Sequence, residues 1–300
     1  MVSSRLTGGY EQRGLALSVL VGVMLSLFVM HAYAQTDSTS LQPYAPVNDV
    51  KATDVRVGQE RAFSWQVRAE LDANYIWRGM YAGGLSTQIE AEISYYGFFL
   101  ASWWNLGTTD WRWGRRDKSG KMITGFNPEL DMSVGYRYKG LMIQFMHMYY
   151  FDHYQDGRMS GYFDWRNYGP GEGGVTTEWR LAYRISDKVP LRFMWCTRTF
   201  SRDGYWVNGE LKRAYSTYIE VKYEQALPHD VTLTGLIGLT PWKSMYTNFE
   251  KDFAVVNLSV SATKSWRVTD YCAVDIGAVV MLNPSSMQPM WNIYTGVTFN

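Results

Sequence analysis

Hydrophobic and polar residues alternate along most of the chain after residue 62. In residues 63–77 the odd positions are apolar or aromatic and most even positions are polar, with Arg68, Glu70 and Asp72 in succession. A period of two predicts a β-strand with one apolar face and one wet face. This segment is also longer than the usual strand of about five or six residues. We therefore predict that it crosses a bilayer beside an aqueous lumen.

The same alternation predicts about twelve strands. They are residues 63–77, 85–95, 98–105, 129–138, 141–151, 176–185, 191–200, 215–223, 231–240, 253–264, 271–282 and 290–299. Tight and long connections alternate between them, as in outer-membrane barrels, which have short periplasmic turns and long extracellular loops. The predicted fold class is all-β, a transmembrane up-and-down antiparallel β-barrel.

The N-terminus has the features of a secretory signal peptide. Arg5 and Arg13 precede an apolar run at 15–30, and Ala32-Tyr33-Ala34 provides a small-residue cleavage signal. An uncleaved anchor helix is the alternative. We predict a signal peptide at 1–34, a flexible periplasmic segment at 35–61 and the barrel at 62–300. The expected location is the outer membrane of a Gram-negative cell, with the N-terminus in the periplasm.

Composition fits a barrel better than other membrane or nucleic-acid-binding classes. The mean hydropathy of -0.25 is too polar for a helical membrane protein, although 16% of the 300 residues are aromatic. A net charge of +1 gives no basic surface for nucleic acid. Aromatic residues cluster near both ends of the predicted strands, which favours two membrane girdles over a soluble β-sandwich. The expected girdles contain Phe63, Trp65, Tyr95, Tyr138, Trp266, Tyr271 and Phe299 on the turn side, and Tyr75, Trp77, Trp103, Tyr149, Phe151 and Trp291 on the loop side.

One segment resembles a known family. The element Tyr75-Ile76-Trp77-Arg78-Gly79, followed by a hairpin at 85–95 and by Trp103-Trp104, is similar to the start of the TorF-type porins. The resemblance covers roughly residues 62–106 and implies a porin-like outer-membrane barrel, without implying a particular solute. Its motif residues here are Tyr75, Trp77, Arg78 and Gly79, where Gly79 frees the backbone for a turn. A pure folding role for the motif is the alternative to a role in gating.

Strand parity predicts which side chains face the lumen. They are Arg68, Glu70, Asp72, Asn74, Gln88, Glu90, Glu92, Glu129, Asp131, Arg137, Glu178, Arg180, Arg184, Arg192, Arg198, Glu220, Lys222 and Glu224. Acidic residues concentrate on the early strands and arginines on the sixth and seventh, so we hypothesise a transverse field across the lumen. The alternative is that these groups pair with one another and close the lumen.

The predicted function is therefore passive diffusion of small polar or charged solutes through a charged lumen. The first alternative is a closed structural or surface-interaction barrel that acts through its loops. Loop 152–175 has the aromatic content of a surface that binds a partner, although the same loop could instead fold inward and narrow the pore. A membrane-embedded hydrolase is the second alternative. However, His147 has no nucleophile among its predicted neighbours, so we expect no enzyme activity.

The carboxylates of Glu70, Asp72, Glu90 and Glu92 are expected to form a wetted wall, and the alternative is that they bind a divalent cation. Since no loop motif such as an EF-hand supports that alternative, we expect no cofactor and no metal. The expected partners are outer-membrane lipids, lipopolysaccharide and small polar solutes. Loop 106–128 bears basic residues among tryptophans that suit lipid phosphates, although a plain solvated loop has the same composition. The cysteines, Cys196 and Cys272, are predicted to be unbridged, with Cys196 facing inward and Cys272 outward.

Overall fold

A computed structural model describes residues 63–108, 126–151, 154–155, 158–159, 161–166, 168, 173–186 and 189–300. The predicted signal peptide, the segment 35–61 and the basic residues of loop 106–128 lie outside the described residues.

The described residues form eighteen strands and one short 3-10 helix, numbered here along the chain. They are β1 (Phe63–Asp72), β2 (Tyr75–Trp77), β3 (Met80–Gly83), β4 (Ser86–Tyr95), β5 (Phe98–Thr108), β6 (Phe126–Tyr138), β7 (Leu141–Tyr150), β8 (Tyr154–Gln155), β9 (Arg158–Met159), β10 (Val175–Arg184), β11 (Leu191–Ser201), β12 (Gly204–Val207), β13 (Glu210–Arg213), β14 (Thr217–Leu227), β15 (Val231–Thr240), the helix η1 (Met245–Thr247), β16 (Ala254–Thr269), β17 (Cys272–Asn283) and β18 (Gln288–Phe299). The three pairs β2–β3, β8–β9 and β12–β13 are separate hairpins.

The other twelve strands form one closed antiparallel barrel. Each pairs with its neighbours in chain order, and β1 closes the ring against β18 with Val67 opposite Phe299. Two of the predicted tight turns, Tyr96-Gly97 and Lys139-Gly140, have positive φ at both central residues. Such turns suit two-residue hairpins because their twist matches that of the flanking strands. The predicted all-β barrel of about twelve strands is thus confirmed.

The two faces of the barrel wall differ sharply in polarity. Outward positions carry apolar side chains that are roughly half exposed, such as Ile93, Leu100, Val134, Ile237 and Val280. Inward positions carry most of the buried polar residues, together with an apolar cluster around Met142, Met194, Tyr218 and Val256. Among the described residues, no helix is long and apolar enough to span a membrane.

The first strand departs from the prediction. It ends at Asp72 and does not continue to residue 77. The backbone N–H of Ala73 still donates to the carbonyl of Ile293 on β18, but that of Asn74 donates to the side-chain oxygen of Asn292 in place of a main-chain carbonyl. The chain then leaves the wall as β2. Tyr75 and Trp77, predicted for the loop-side girdle, consequently lie inside the barrel. Trp103, predicted for the same girdle, faces inward for a different reason, since on β5 it shares the parity of the buried Asn105 and not that of the exposed Trp104.

Candidate functional site in the barrel interior

The structure places the predicted inward-facing residues inside the barrel. Sixteen of the eighteen are buried, and Arg137 and Arg184, at the turn end, are half-buried. Their neighbours of opposite parity, such as Trp179 and Leu181 beside Arg180, are about half exposed. The alternation seen in the sequence therefore separates the two faces of the wall.

Several of these charges form ion pairs. Arg68 contacts Glu70 on its own strand and makes two hydrogen bonds of 2.7 Å to the carboxylate of Asp275 on β17. Near the turn end, Arg137 makes two hydrogen bonds of 2.8 and 2.7 Å to Glu92. Both signs thus occur together on the early strands, and pairing limits the separation of charge that a transverse field requires.

The hairpin β2–β3, residues 75–83, folds into the lumen, and we call it the lumen hairpin. Its base lies beside β18, where Asn74 also donates to the carbonyl of Trp291. At its tip, Arg78 has φ 48° and Gly79 has φ 78°, so the turn needs two residues in the left-handed region. The motif therefore does form a turn, as predicted, but the turn lies inside the barrel and not at the membrane interface.

Arg78 fixes the tip against the opposite wall. Its guanidinium is completely buried and donates hydrogen bonds of 2.6 and 2.8 Å to the two carboxylate oxygens of Glu178 on β10. It also donates to the Tyr246 hydroxyl at 2.7 Å and contacts the Cys196 sulfur at 3.0 Å. Bidentate pairing of this kind is the strongest arginine–carboxylate geometry. We call this set of contacts the Arg78 clamp.

Local features of the wall support the clamp. A β-bulge between Thr177 and Glu178 shifts the register of β10 against β11 next to the pairing carboxylate, and bulges commonly re-aim a side chain. Arg180 also donates to Glu178, at 2.5 Å. The Glu178 carboxylate thus lies between two guanidiniums, and it is fully buried.

Gly79 allows the hairpin tip to approach the wall closely. A Cβ at this position would lie 1.8 Å from the carbonyl oxygen of Val256 on β16. The side-chain amide of Asn283 on β17 donates to the Gly79 carbonyl at 2.9 Å. Tyr246, from η1, packs against Trp77 with ring centroids 5.7 Å apart. The tip is therefore held by several separate strands of the barrel.

Beside the lumen hairpin, a cavity of about 80 Å³ remains, with room for a few water molecules. We call it the side cavity. The hairpin provides Tyr75, Ile76 and Trp77 on one side, and strands β4 to β7 provide much of the other. Its charged lining residues are Asp72, Glu90, Asp131 and Arg180. The lumen is thus neither fully open nor fully filled.

Part of the aromatic loop after β7 packs against the outer face of the wall. Residues 161–166, which we call the outer segment, cover His147. The rings of Tyr162 and His147 stack with centroids 4.4 Å apart, and the ring of Trp165 stacks on that of Phe200 with centroids 5.5 Å apart. Arg166 and Tyr168 donate to Asp164, and these bonds hold the pKa of that carboxyl below its usual range. The outer segment therefore does not narrow the lumen.

Several residues of the interior lie outside the predicted set. Asp275 alternates with apolar neighbours in β17, and its parity would have placed it inward. Tyr246 lies in a connection, where no periodic signal exists. Both cysteines are free and buried. Cys272 was predicted to face outward, but its side chain is only 6% exposed. Among the described residues, no group of histidine, cysteine, aspartate and glutamate side chains is arranged to hold a metal ion.

An apolar exterior, a polar and partly filled interior, and full closure of the sheet define a β-barrel of the outer-membrane class. No family profile and no curated protein matches the chain, so the TorF-type resemblance stays a prediction. Similar solved structures include a NanC porin at 11% identity, covering 79% of this chain and 100% of that one with a TM-score of 0.43. Another is an outer membrane channel from Pseudomonas putida F1 at 10% identity, covering 83% and 99% with a TM-score of 0.45. At such identities the likeness concerns the barrel architecture alone.

Proposed function

We propose that the protein is an outer-membrane channel for passive diffusion of small polar solutes, with a lumen narrowed by the lumen hairpin. The observation that carries the proposal is the contrast between the two faces of the closed wall. Ile93, Val260 and Val280 are 52%, 59% and 63% exposed on the outside, where water would leave their apolar surface unburied. Lipid removes that cost, and the polar interior then provides an aqueous path.

The location follows from the same contrast. The exposed turn-end aromatics, including Trp65, Tyr95, Trp266 and Tyr271, suit the headgroup level of a bilayer. With the short turns in the periplasm, the long connections and the outer segment face the outside of the cell. In this orientation the apolar outer face of the barrel contacts outer-membrane lipids and lipopolysaccharide. We propose no catalytic role for His147, because the side chains packed against its ring are the aromatic groups of Tyr162, Phe163 and Trp165.

The size of the free space favours small solutes. Twelve strands lie between eight-stranded barrels, which side chains fill, and barrels of sixteen to eighteen strands, which hold a wide channel. Here the lumen hairpin reaches across the lumen to Glu178, and the side cavity beside it has a volume of about 80 Å³. We therefore expect a low single-channel conductance compared with that of a wide porin.

The test is single-channel recording of the chain refolded into a planar lipid bilayer. Folding is checked beforehand by the heat-dependent electrophoretic mobility of the barrel. Discrete current steps with a reversal potential in a salt gradient would support the channel. A folded barrel that stays silent would refute it and favour the alternative, a closed barrel that acts through its loops, for which the Arg78 clamp would be the seal.

A further inference from the structure

The wall of the side cavity holds an aromatic ring between two carboxylates. Trp103 on β5 is the cross-strand partner of Glu90 on β4 and also of Asp131 on β6. Directly paired residues on one face have Cβ atoms about 4.5–5.5 Å apart, so the three side chains are immediate neighbours. All three line the cavity. From the lumen hairpin, Tyr75 packs on Trp103 with ring centroids 5.7 Å apart.

Two buried acceptor atoms in this lining lack a donor. Asp131 is 7% exposed, and its Oδ1 accepts no hydrogen bond from the described residues. Gln144 is 2% exposed, and the same holds for its Oε1. Buried acceptors without a partner are costly and uncommon. A ligand that brings hydrogen-bond donors into the cavity would satisfy them.

The charge of the lining favours a positive ligand. Three carboxylates, those of Asp72, Glu90 and Asp131, face a single guanidinium, that of Arg180. The Nε of Arg180 already donates to Glu178. Arg68, the cross-strand partner of Glu90, and Asn292, which donates to Asp72, also contribute to this environment. Among the charged side chains that line the cavity, carboxylates still outnumber guanidiniums by three to one.

The aromatic groups select the kind of cation. The lining places an indole between the carboxylates of Glu90 and Asp131, whereas a hard divalent cation prefers several oxygens around one point. Indole and phenol rings attract ammonium and guanidinium groups through their faces and also pack against alkyl carbons. A volume of about 80 Å³ suits a molecule of only a few heavy atoms.

We infer that the side cavity is a selectivity site for small organic cations, which bind over Trp103 with the ammonium or guanidinium group between Glu90 and Asp131. The inference rests on the proposed function, because a solute reaches the cavity only through the lumen. It deepens that function by naming the solute class as organic cations with hydrogen-bond donors.

The test measures binding directly, so that it does not depend on current. Saturation-transfer NMR with ethylammonium is recorded on the full chain folded in detergent micelles, and ethanol serves as the uncharged ligand of the same length. We expect saturable transfer to the ethylammonium methyl group and little to ethanol. Equal transfer to both ligands would overturn the inference, because it would indicate non-specific contact.

Variants then locate the site. Asp131→Asn keeps the shape of the side chain and removes its charge, so we expect the affinity for ethylammonium to fall at least tenfold. Asp252→Asn, at an exposed loop position, is the matched control and should leave the affinity unchanged. Glu90→Gln is the second test of the same site if Asp131→Asn fails to fold. Unchanged binding in a folded site variant would contradict the inference.

The bilayer recordings separate the two proposals. A folded barrel that binds ethylammonium but carries no current would refute the channel and leave the binding site in place. A conducting barrel with the same permeability to ethylammonium in the native chain and in Asp131→Asn would leave the channel and refute the selectivity site.

Discussion

Replacing Arg78 by methionine should release the lumen hairpin. The native guanidinium makes two hydrogen bonds to Glu178 and one to Tyr246, and its carbon lies 4.6 Å from the Trp77 ring centroid. Removing one partner of a buried ion pair costs about 3–5 kcal/mol, largely because the other charge is left uncompensated. In Arg78→Met, however, Glu178 keeps its contact with Arg180.

We therefore expect a cost near 3 kcal/mol for Arg78→Met, which shifts the hairpin equilibrium roughly 100-fold towards the released state. Glu178→Gln should cost more, about 5 kcal/mol, because it leaves two buried guanidiniums with a neutral partner. The order of the two variants follows from the position of Arg180. If Arg78 were the only partner of the carboxylate, each variant would leave one buried charge uncompensated, and the two costs would be similar.

Two measurements check this prediction. Single-channel conductance should rise in Arg78→Met, and Cys196, which is fully buried beside the clamp, should react with a maleimide in a Cys272→Ser background. The control is Arg166→Met, since the Arg166 side chain is 71% exposed and pairs with Asp164 outside the barrel. If folded Arg78→Met and Arg166→Met showed the same conductance and labelling rate as the native chain, the reasoning about the clamp would be refuted.

Two further predictions concern the hairpin tip and the outer segment. Gly79→Ala should lower the thermal stability far more than Gly209→Ala. Both glycines have positive φ, which costs about 1–2 kcal/mol for alanine, but only at Gly79 would the added Cβ clash with the wall. Equal decreases in melting temperature would count against the close packing of Gly79. Tyr162→Ala should speed the reaction of His147 with diethyl pyrocarbonate, since the tyrosine ring covers the imidazole. The exposed His229 is the internal control and should keep its rate. An unchanged His147 rate would show that the outer segment does not cover the wall.

The barrel could be predicted from the sequence because its signals are local. Alternation with period two and tight turns such as Lys139-Gly140 depend on neighbouring residues. They therefore predicted the number of wall strands correctly, and most strand bounds to within a few positions. The predicted set of inward-facing side chains rests on the same local alternation, since one residue of shift would move a whole strand to the other face.

The lumen hairpin could not be predicted because its signals are not local. Residues Tyr75, Ile76 and Trp77 continue the alternation of β1, so the pattern alone does not separate a strand in the wall from one in the lumen. The contacts that decide are those of Asn74 with Asn292 and of Arg78 with Glu178, which are 218 and 100 positions apart. Tyr246 likewise joins the clamp from a connection without periodicity.

The position of the lumen hairpin also constrains how the chain folds. Residues 75–83 belong to the first part of the barrel, yet Gly79 binds Asn283, which lies 204 positions later in the sequence. The hairpin contacts β10 through Glu178 and β17 through Asn283, so its packing is complete only when strands on both sides of the lumen are in place. Contacts between such distant residues slow folding because they form only after a large loss of chain entropy. Closure of the barrel and packing of the hairpin are therefore expected to be a single, late and cooperative step of assembly.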